Sequence, residues 1–257
     1  MRRFFFWTFP TVISVAAAAL FGWGFYLALR GDVGTAVGQT PLGPAPAAAE
    51  NAPTPSRPLR LLIMGDSLAR GTGDTSGEGL SGSIDAELKR RGIPHQEPVN
   101  VAVNGATTKD LLQSLSHPGL QRLIASSQVV VVSIGGNDFF VEQRGARVAP
   151  QNPDALIGGV AERVERIVHQ IAAANPKARI FIVGLYNPFR KTPADKLIAT
   201  AVAEWNSRLI RQFAGNENVT VVQTSDLFTY RDRLSFDRFH PNAEAYRAIG
   251  RRIAEAI

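Results

Sequence analysis

Between residues 59 and 257, five short apolar runs (61–64, 99–103, 129–134, 180–183 and 219–222) alternate with longer stretches of helical periodicity. Each run is mostly β-branched and ends near Gly, Asn, Asp or Thr, the pattern of strands buried on both faces. Pro153 opens one helical stripe, formed by Leu156, Ile157, Val160, Val164, Ile167, Val168 and Ile171. Thr192-Pro193-Ala194-Asp195 reads as the capped start of a second, with Leu197, Ile198, Ala201, Val202, Trp205, Leu209 and Phe213. Both stripes are expected to face the core, Trp205 included. A strand buried on both faces needs helices on both sides. The alternation therefore predicts an α/β fold with a five-stranded parallel sheet between helical layers, its chemistry on the loops after the strands.

The segments before residue 59 follow different rules. After Arg2 and Arg3, residues 4–29 carry no charge, and as a helix they would span about 39 Å, more than a hydrocarbon core of about 30 Å. Aromatic residues cluster near both ends, and the leading arginines keep the N-terminus cytoplasmic. Residues 1–30 are thus expected to be a membrane helix that sends the rest of the chain across. The alternatives are a signal peptide cut near Thr35-Ala36-Val37-Gly38, although its apolar core would be unusually long, and a buried soluble helix. Of the 28 residues from 31 to 58, 16 are Gly, Pro or Ala and none is aromatic, so this stretch reads as a disordered linker. Residues 59–257 are the folded domain, and its location is expected to be extracytoplasmic, membrane-anchored, or secreted or periplasmic if the leader is cut.

The formal charge is +6, of which residues 59–257 carry +4 with no long basic run; no nucleic-acid partner is expected. There is no cysteine, which excludes disulfides, a thiol nucleophile and thiolate-bound metal. A hydroxyl nucleophile is compatible with that composition.

Four post-strand segments hold the residue types that acyl transfer needs. Gly65-Asp66-Ser67-Leu68 follows the first run, where a serine at a strand-to-helix turn can expose its hydroxyl. Asn104-Gly105-Ala106-Thr107 follows the second and offers an unobstructed backbone N–H. Gly135-Gly136-Asn137-Asp138 follows the third and offers a side-chain amide. Asp237-Arg238-Phe239-His240-Pro241 places a carboxylate three residues before an imidazole, with Pro241 expected to start the last helix. In this reading Ser67 is the nucleophile, His240 the general base, and Asp237 the group that orients the ring. The N–H groups of Ser67 and Gly105 and the Asn137 amide make the oxyanion hole. The helix N-terminus beside His240 disfavours imidazolium, and Asp237 opposes that effect.

These four segments resemble, block by block and in order, the SGNH or GDSL hydrolases. Ser67, Gly105, Asn137 and His240 stand at the family-defining positions, and the resemblance spans about residues 60–257. It implies a flavodoxin-like three-layer α/β/α sandwich and cofactor-free, metal-independent hydrolysis of esters or thioesters. The stretches 71–79 and 186–189 look most like the bacterial lipase/acylhydrolase branch, where they lie near the acyl pocket. Expected substrate contacts are Asp66, Leu68, Phe139, Phe140 and Phe189, with Leu80 as a further wall of a hydrophobic slot. Arg144 and Arg147, in the loop 142–150, are read as solvated or as attracting an anionic head group.

Competing motifs lack their context. Gly77-Glu78-Gly79-Leu80-Ser81-Gly82 fits G-x-G-x-x-G but does not follow a strand directly, and Walker A, H-E-x-x-H and G-x-S-x-G patterns are absent. Asp237 and His240 have no third metal ligand at supportive spacing. His95, His117 and His169 are expected in surface or packing roles. The substrate is expected to be a lipid, a lysophospholipid or an acylated glycan. The alternatives are a polysaccharide O-acetyl esterase or acetyltransferase of the envelope, and a non-catalytic envelope binding module.

Overall fold

The apolar runs form one parallel sheet of order β2-β1-β3-β4-β5: β1 (Leu61–Gly65), β2 (Val99–Asn100), β3 (Val129–Ser133), β4 (Arg179–Val183) and β5 (Val219–Val222). The computed structural model describes residues 57–141, 153–229 and 231–257, all within the unit Thr54–Ile257. The expected membrane segment, nearly all of the linker, and Arg144 and Arg147 lie outside the described residues. Among the described residues no helix is long and apolar enough to cross a membrane.

Alternate residues of β1, β3, β4 and β5 feed two separate cores, because successive side chains point to opposite faces. Leu62, Met64, Val130, Val132, Ile180 and Ile182 pack against helices α3 (Thr108–Ser114), α4 (Pro118–Ser126), α6 (Pro153–Ala174) and α7 (Asp195–Phe213). Leu61, Ile63, Val129, Val131, Phe181 and Val183 pack against α1 (Ser67–Arg70), α2 (Gly79–Arg90) and α8 (Ala243–Ala256). The short α5 (Gly136–Val141) follows β3. The result is the expected three-layer sandwich. Its strand order reverses between β1 and β3, so the crevice at their carboxyl ends is the natural place for a ligand.

Local chemistry starts and stops the helices. Asp66 caps α1 and Gly71 ends it in the left-handed conformation; Thr107 and Asp110 form a reciprocal capping box on α3; Asn242 caps α8. Three expectations need correction. The run 99–103 is not buried on both faces: only Val99 and Asn100 pair in the sheet, and Val99 and Val103 are 44% and 63% exposed, because β2 is an edge strand. The last helix starts at Ala243, and Pro241 instead bridges antiparallel to Leu234. No side chain caps α7 at its N-cap, Ala194; the Asp195 carboxylate accepts hydrogen bonds from the Asn187 amide and the Lys191 N–H instead.

Candidate active site

The turn between β1 and α1 depends on two close approaches. Gly65 has φ +132°, and a Cβ there would lie 1.8 Å from the Ser133 carbonyl oxygen, so only glycine lets β1 run this near the end of β3. Gly73 has φ +96°, and a Cβ would meet the His240 Cβ at 2.7 Å. That glycine, within the stretch 71–79 expected near the acyl pocket, lets the turn after α1 close against the histidine. Between them Ser67 opens α1, half-buried, with its backbone N–H unpartnered among the described residues.

His240 Nε2 lies 2.9 Å from Ser67 Oγ, and its Nδ1 lies 2.6 Å from Asp237 Oδ2. A carboxylate only accepts, so Nδ1 carries the proton and Nε2 is left to accept the serine hydroxyl. The hairpin 234–241 holds this pair. The Ser235 N–H donates to the His240 carbonyl at 2.8 Å, and the Tyr186 hydroxyl donates to the Phe239 carbonyl at 2.7 Å. Arg238 takes the left-handed backbone, φ +56°, which non-glycine residues seldom adopt, and it sits between Asp237 and His240. Asp237 Oδ1 accepts from the Ser235 hydroxyl at 2.6 Å and from the Phe239 and His240 N–H groups at 2.9 Å each. Partial burial pushes its pKa up, but these bonds and the one to the imidazole outweigh burial and hold it well below the usual carboxylate range. Ser235 had no signal in the sequence beyond its closeness to Asp237.

Asp66, beside the serine, behaves oppositely. It is 5% exposed, and burial pushes it up to about 7 against hydrogen bonds from the Leu68 N–H and the Ser133 hydroxyl. Among the oxyanion candidates, Asn137 reaches the site and donates from Nδ2 to the Ala106 carbonyl at 2.9 Å, leaving its second amide hydrogen available. Gly105 lies on the same loop, exposed, with an N–H unpartnered among the described residues. It lines a separate groove with His117 and Leu120, not the cavity at Ser67.

That cavity, about 190 Å³, runs from Ser67 and His240 between the first turns of α6 and α7. Asp66, Leu68, Asn137 and Phe139 line it, together with Leu156, Ile157, Leu185, Tyr186, Pro188, Ile198, Ala201 and Phe239. Leu156 of the first helical stripe and Leu197, Ile198, Ala201 and Val202 of the second therefore line a cavity, while Ile157 and Val160 are buried in the core; Leu197 is 59% exposed at the cavity edge. Periodicity gives no warning of this, since an apolar stripe looks the same against a core or a slot. Phe189 does not line the cavity; its ring meets Phe239 edge-on at 6.0 Å. Leu80 is fully buried in the core shared with α8. Phe140 belongs to α5, but its side chain lies outside the described residues.

Trp205 is a packing residue, buried beneath Gly135 and meeting Phe139 edge-on at 5.4 Å. His95 binds the Ile93 carbonyl and Asp85, His117 caps α4, and His169 is exposed. Among the described residues no three His, Asp or Glu side chains are grouped to hold a metal ion.

Residues 63–248 match the GDSL-like Lipase/Acylhydrolase family. The uncharacterized protein YpmR of Bacillus subtilis (strain 168) is 30% identical over 205 residues, 77% of this chain and 80% of that protein. Similar solved folds include a lipase from a goat rumen metagenome (TM-score 0.67, 21% identity, 77% of this chain and 97% of that one). They also include the acetyl xylan esterase AlAXEase (TM-score 0.59, 17% identity, 77% and 100%), and a Clostridium thermocellum family 3 carbohydrate esterase (TM-score 0.57, 17% identity, 77% and 94%). At these identities the structures speak to the fold; the family match over most of the chain speaks to the chemistry. The chain belongs to the GDSL-like lipase/acylhydrolase family and is a carboxylic ester hydrolase.

Proposed function

We propose that this ester hydrolase works by acyl transfer through Ser67, His240 and Asp237, on esters or thioesters whose acyl part fills the apolar cavity. The observation that carries the reading is the unbroken hydrogen-bonded relay from Asp237 to His240 to Ser67, at 2.6 and 2.9 Å, opening on that cavity. As Ser67 Oγ attacks the carbonyl carbon, its proton passes to His240 Nε2, and Asp237 stabilises the imidazolium. The Ser67 and Gly105 N–H groups and the free hydrogen of the Asn137 amide receive the developing oxyanion. Nε2 then returns the proton to the leaving alkoxide or thiolate as its bond to the acyl carbon breaks. A water deprotonated by the same nitrogen attacks the acyl-Ser67 ester, and the acid leaves with Ser67 reprotonated. No residue in this cycle requires a cofactor.

The cavity wall supports a medium or long acyl chain over acetyl, since burial is worth about 0.8 kcal/mol per CH₂. The uncharged run 4–29 behind Arg2 and Arg3, followed by the Pro-, Ala- and Gly-rich stretch to residue 58, supports an extracytoplasmic domain tethered to a membrane. A lipid or lysophospholipid suits that placement. The second reading, a polysaccharide O-acetyl esterase or acetyltransferase, is favoured by the named activities of the xylan and carbohydrate esterases of the same fold.

A series of p-nitrophenyl esters from acetate to palmitate separates the two. The acyl reading predicts kcat/KM rising by about 10-fold or more from acetate to octanoate. A maximum at acetate, or transfer of acetyl to a sugar acceptor, would favour the second.

A further inference from the structure

Beside the oxyanion donors, three side chains from three helices close a hydrogen-bonded triangle that the acid–base relay does not use. Asp138 follows Asn137 directly and is 3% exposed. Its carboxylate accepts the Thr108 N–H at 2.9 Å and the Thr108 hydroxyl at 2.5 Å. Arg163, on α6, donates from Nη2 to Asp138 at 3.1 Å and from Nε to Thr108 Oγ1 at 2.6 Å. Thr108 is the first residue of α3, three positions after Gly105. The triangle thus ties the residue after one oxyanion donor to the helix that begins just after the other. The bond from the Asn137 amide to the Ala106 carbonyl closes the same gap from the cavity side.

A buried carboxylate needs a countercharge, and the guanidinium meets the acid and the hydroxyl together through one rigid plane, which an ammonium cannot reproduce. We propose that Arg163, Asp138 and Thr108 are positioning residues that fix the separation of the Asn137 amide and the Gly105 N–H, so that the hole is set before substrate arrives. The inference rests on the reading of those two groups as oxyanion donors. Such donors act by preorganisation, and a displacement of about 1 Å can cost about 100-fold in rate.

The test is a double-mutant cycle on the full chain, with kcat and KM for p-nitrophenyl octanoate and a thermal melt for each variant. Arg163→Met is expected to lower kcat by about 10- to 100-fold with KM changed less than about 2-fold. Arg163→Lys should fall between that variant and the wild type. In an Asn137→Ala background, the step from Arg163 to Met should lower kcat by only about 3-fold or less, because most of the hole it positions is already gone. If Arg163→Met fails to fold, Arg163→Lys and Thr108→Val carry the same cycle. Losses that multiply independently, a loss confined to KM, or wild-type kcat in the Arg163 variants would overturn the clamp and leave the hole standing. Wild-type kcat in Asn137→Ala would overturn the hole and the clamp with it.

Discussion

The two halves of the site are built at different ranges in the chain. The proposed acid–base half is mostly local: Asp237, His240 and most of the hydrogen bonds that orient them lie within 235–240, and the bonds to Ser67 and from the Tyr186 hydroxyl to the Phe239 carbonyl span the fold. The proposed oxyanion half is assembled from afar. Asn137 meets a carbonyl 31 positions away, and the triangle behind it joins residues separated by 30, 25 and 55 positions. A hairpin that organises itself holds the base, while the hole depends on how the helices pack around the sheet.

The largest expected effect would break the local half. In Asp237→Asn, the three donors that converge on Oδ1 should hold the amide oxygen in place, which turns Nδ2 toward the imidazole. His240 would then carry its proton on Nε2 and could not accept one from Ser67. A fall in kcat of about 10⁴-fold with little change in the melting temperature is expected; kcat within 10-fold of wild type would mean that Asp237 does not set the tautomer. Asn137→Ala tests the distant half, and should lower kcat by about 10²- to 10³-fold with KM nearly unchanged.

A smaller effect separates the two carboxylates by sign. Burial raises Asp66 to about 7 in the folded state, above its ordinary 3.8, so the folded chain binds more protons across that interval. The contribution of Asp66 is therefore most favourable below about pH 4 and is lost as pH rises through 7. Asp237 is shifted the other way, so its contribution is lost only as the solution becomes strongly acid. Denaturant melts of Asp66→Asn at pH 4 and pH 8 should show the variant gaining on the wild type at the higher pH, by an amount on the order of 3 kcal/mol. An equal offset at both pH values would contradict that assignment.

Legibility in the sequence followed the same division by range. Asp237 and His240 announce themselves because their spacing is their geometry, and Ser67 because Gly65 precedes it at a strand end. The central strands were legible from β-branched runs buried on both sides. The edge strand is shorter than its composition suggests: of 99–103 only Val99 and Asn100 are paired as strand, although the Val101 and Val103 N–H groups still donate to the Ile63 and Gly65 carbonyls. Leu156, Leu197, Ile198 and Ala201 line the cavity where the stripe predicts core, since periodicity reports which face is apolar and not what fills the space beyond it. Arg163 carried no local signal at all: an arginine on a helix is ordinarily solvated, and only folding brings it to Thr108 and Asp138.

The central claim is that Ser67 forms the covalent bond. The most direct measurement is to react the full chain with a fluorophosphonate, locate the added mass by peptide mass spectrometry, and follow p-nitrophenyl octanoate turnover in the same samples. One phosphonyl group on the peptide containing Ser67, with turnover lost in proportion and no labelling of Ser67→Ala, is the predicted result. Labelling elsewhere, or a folded Ser67→Ala that turns over ester at the wild-type rate, would contradict it.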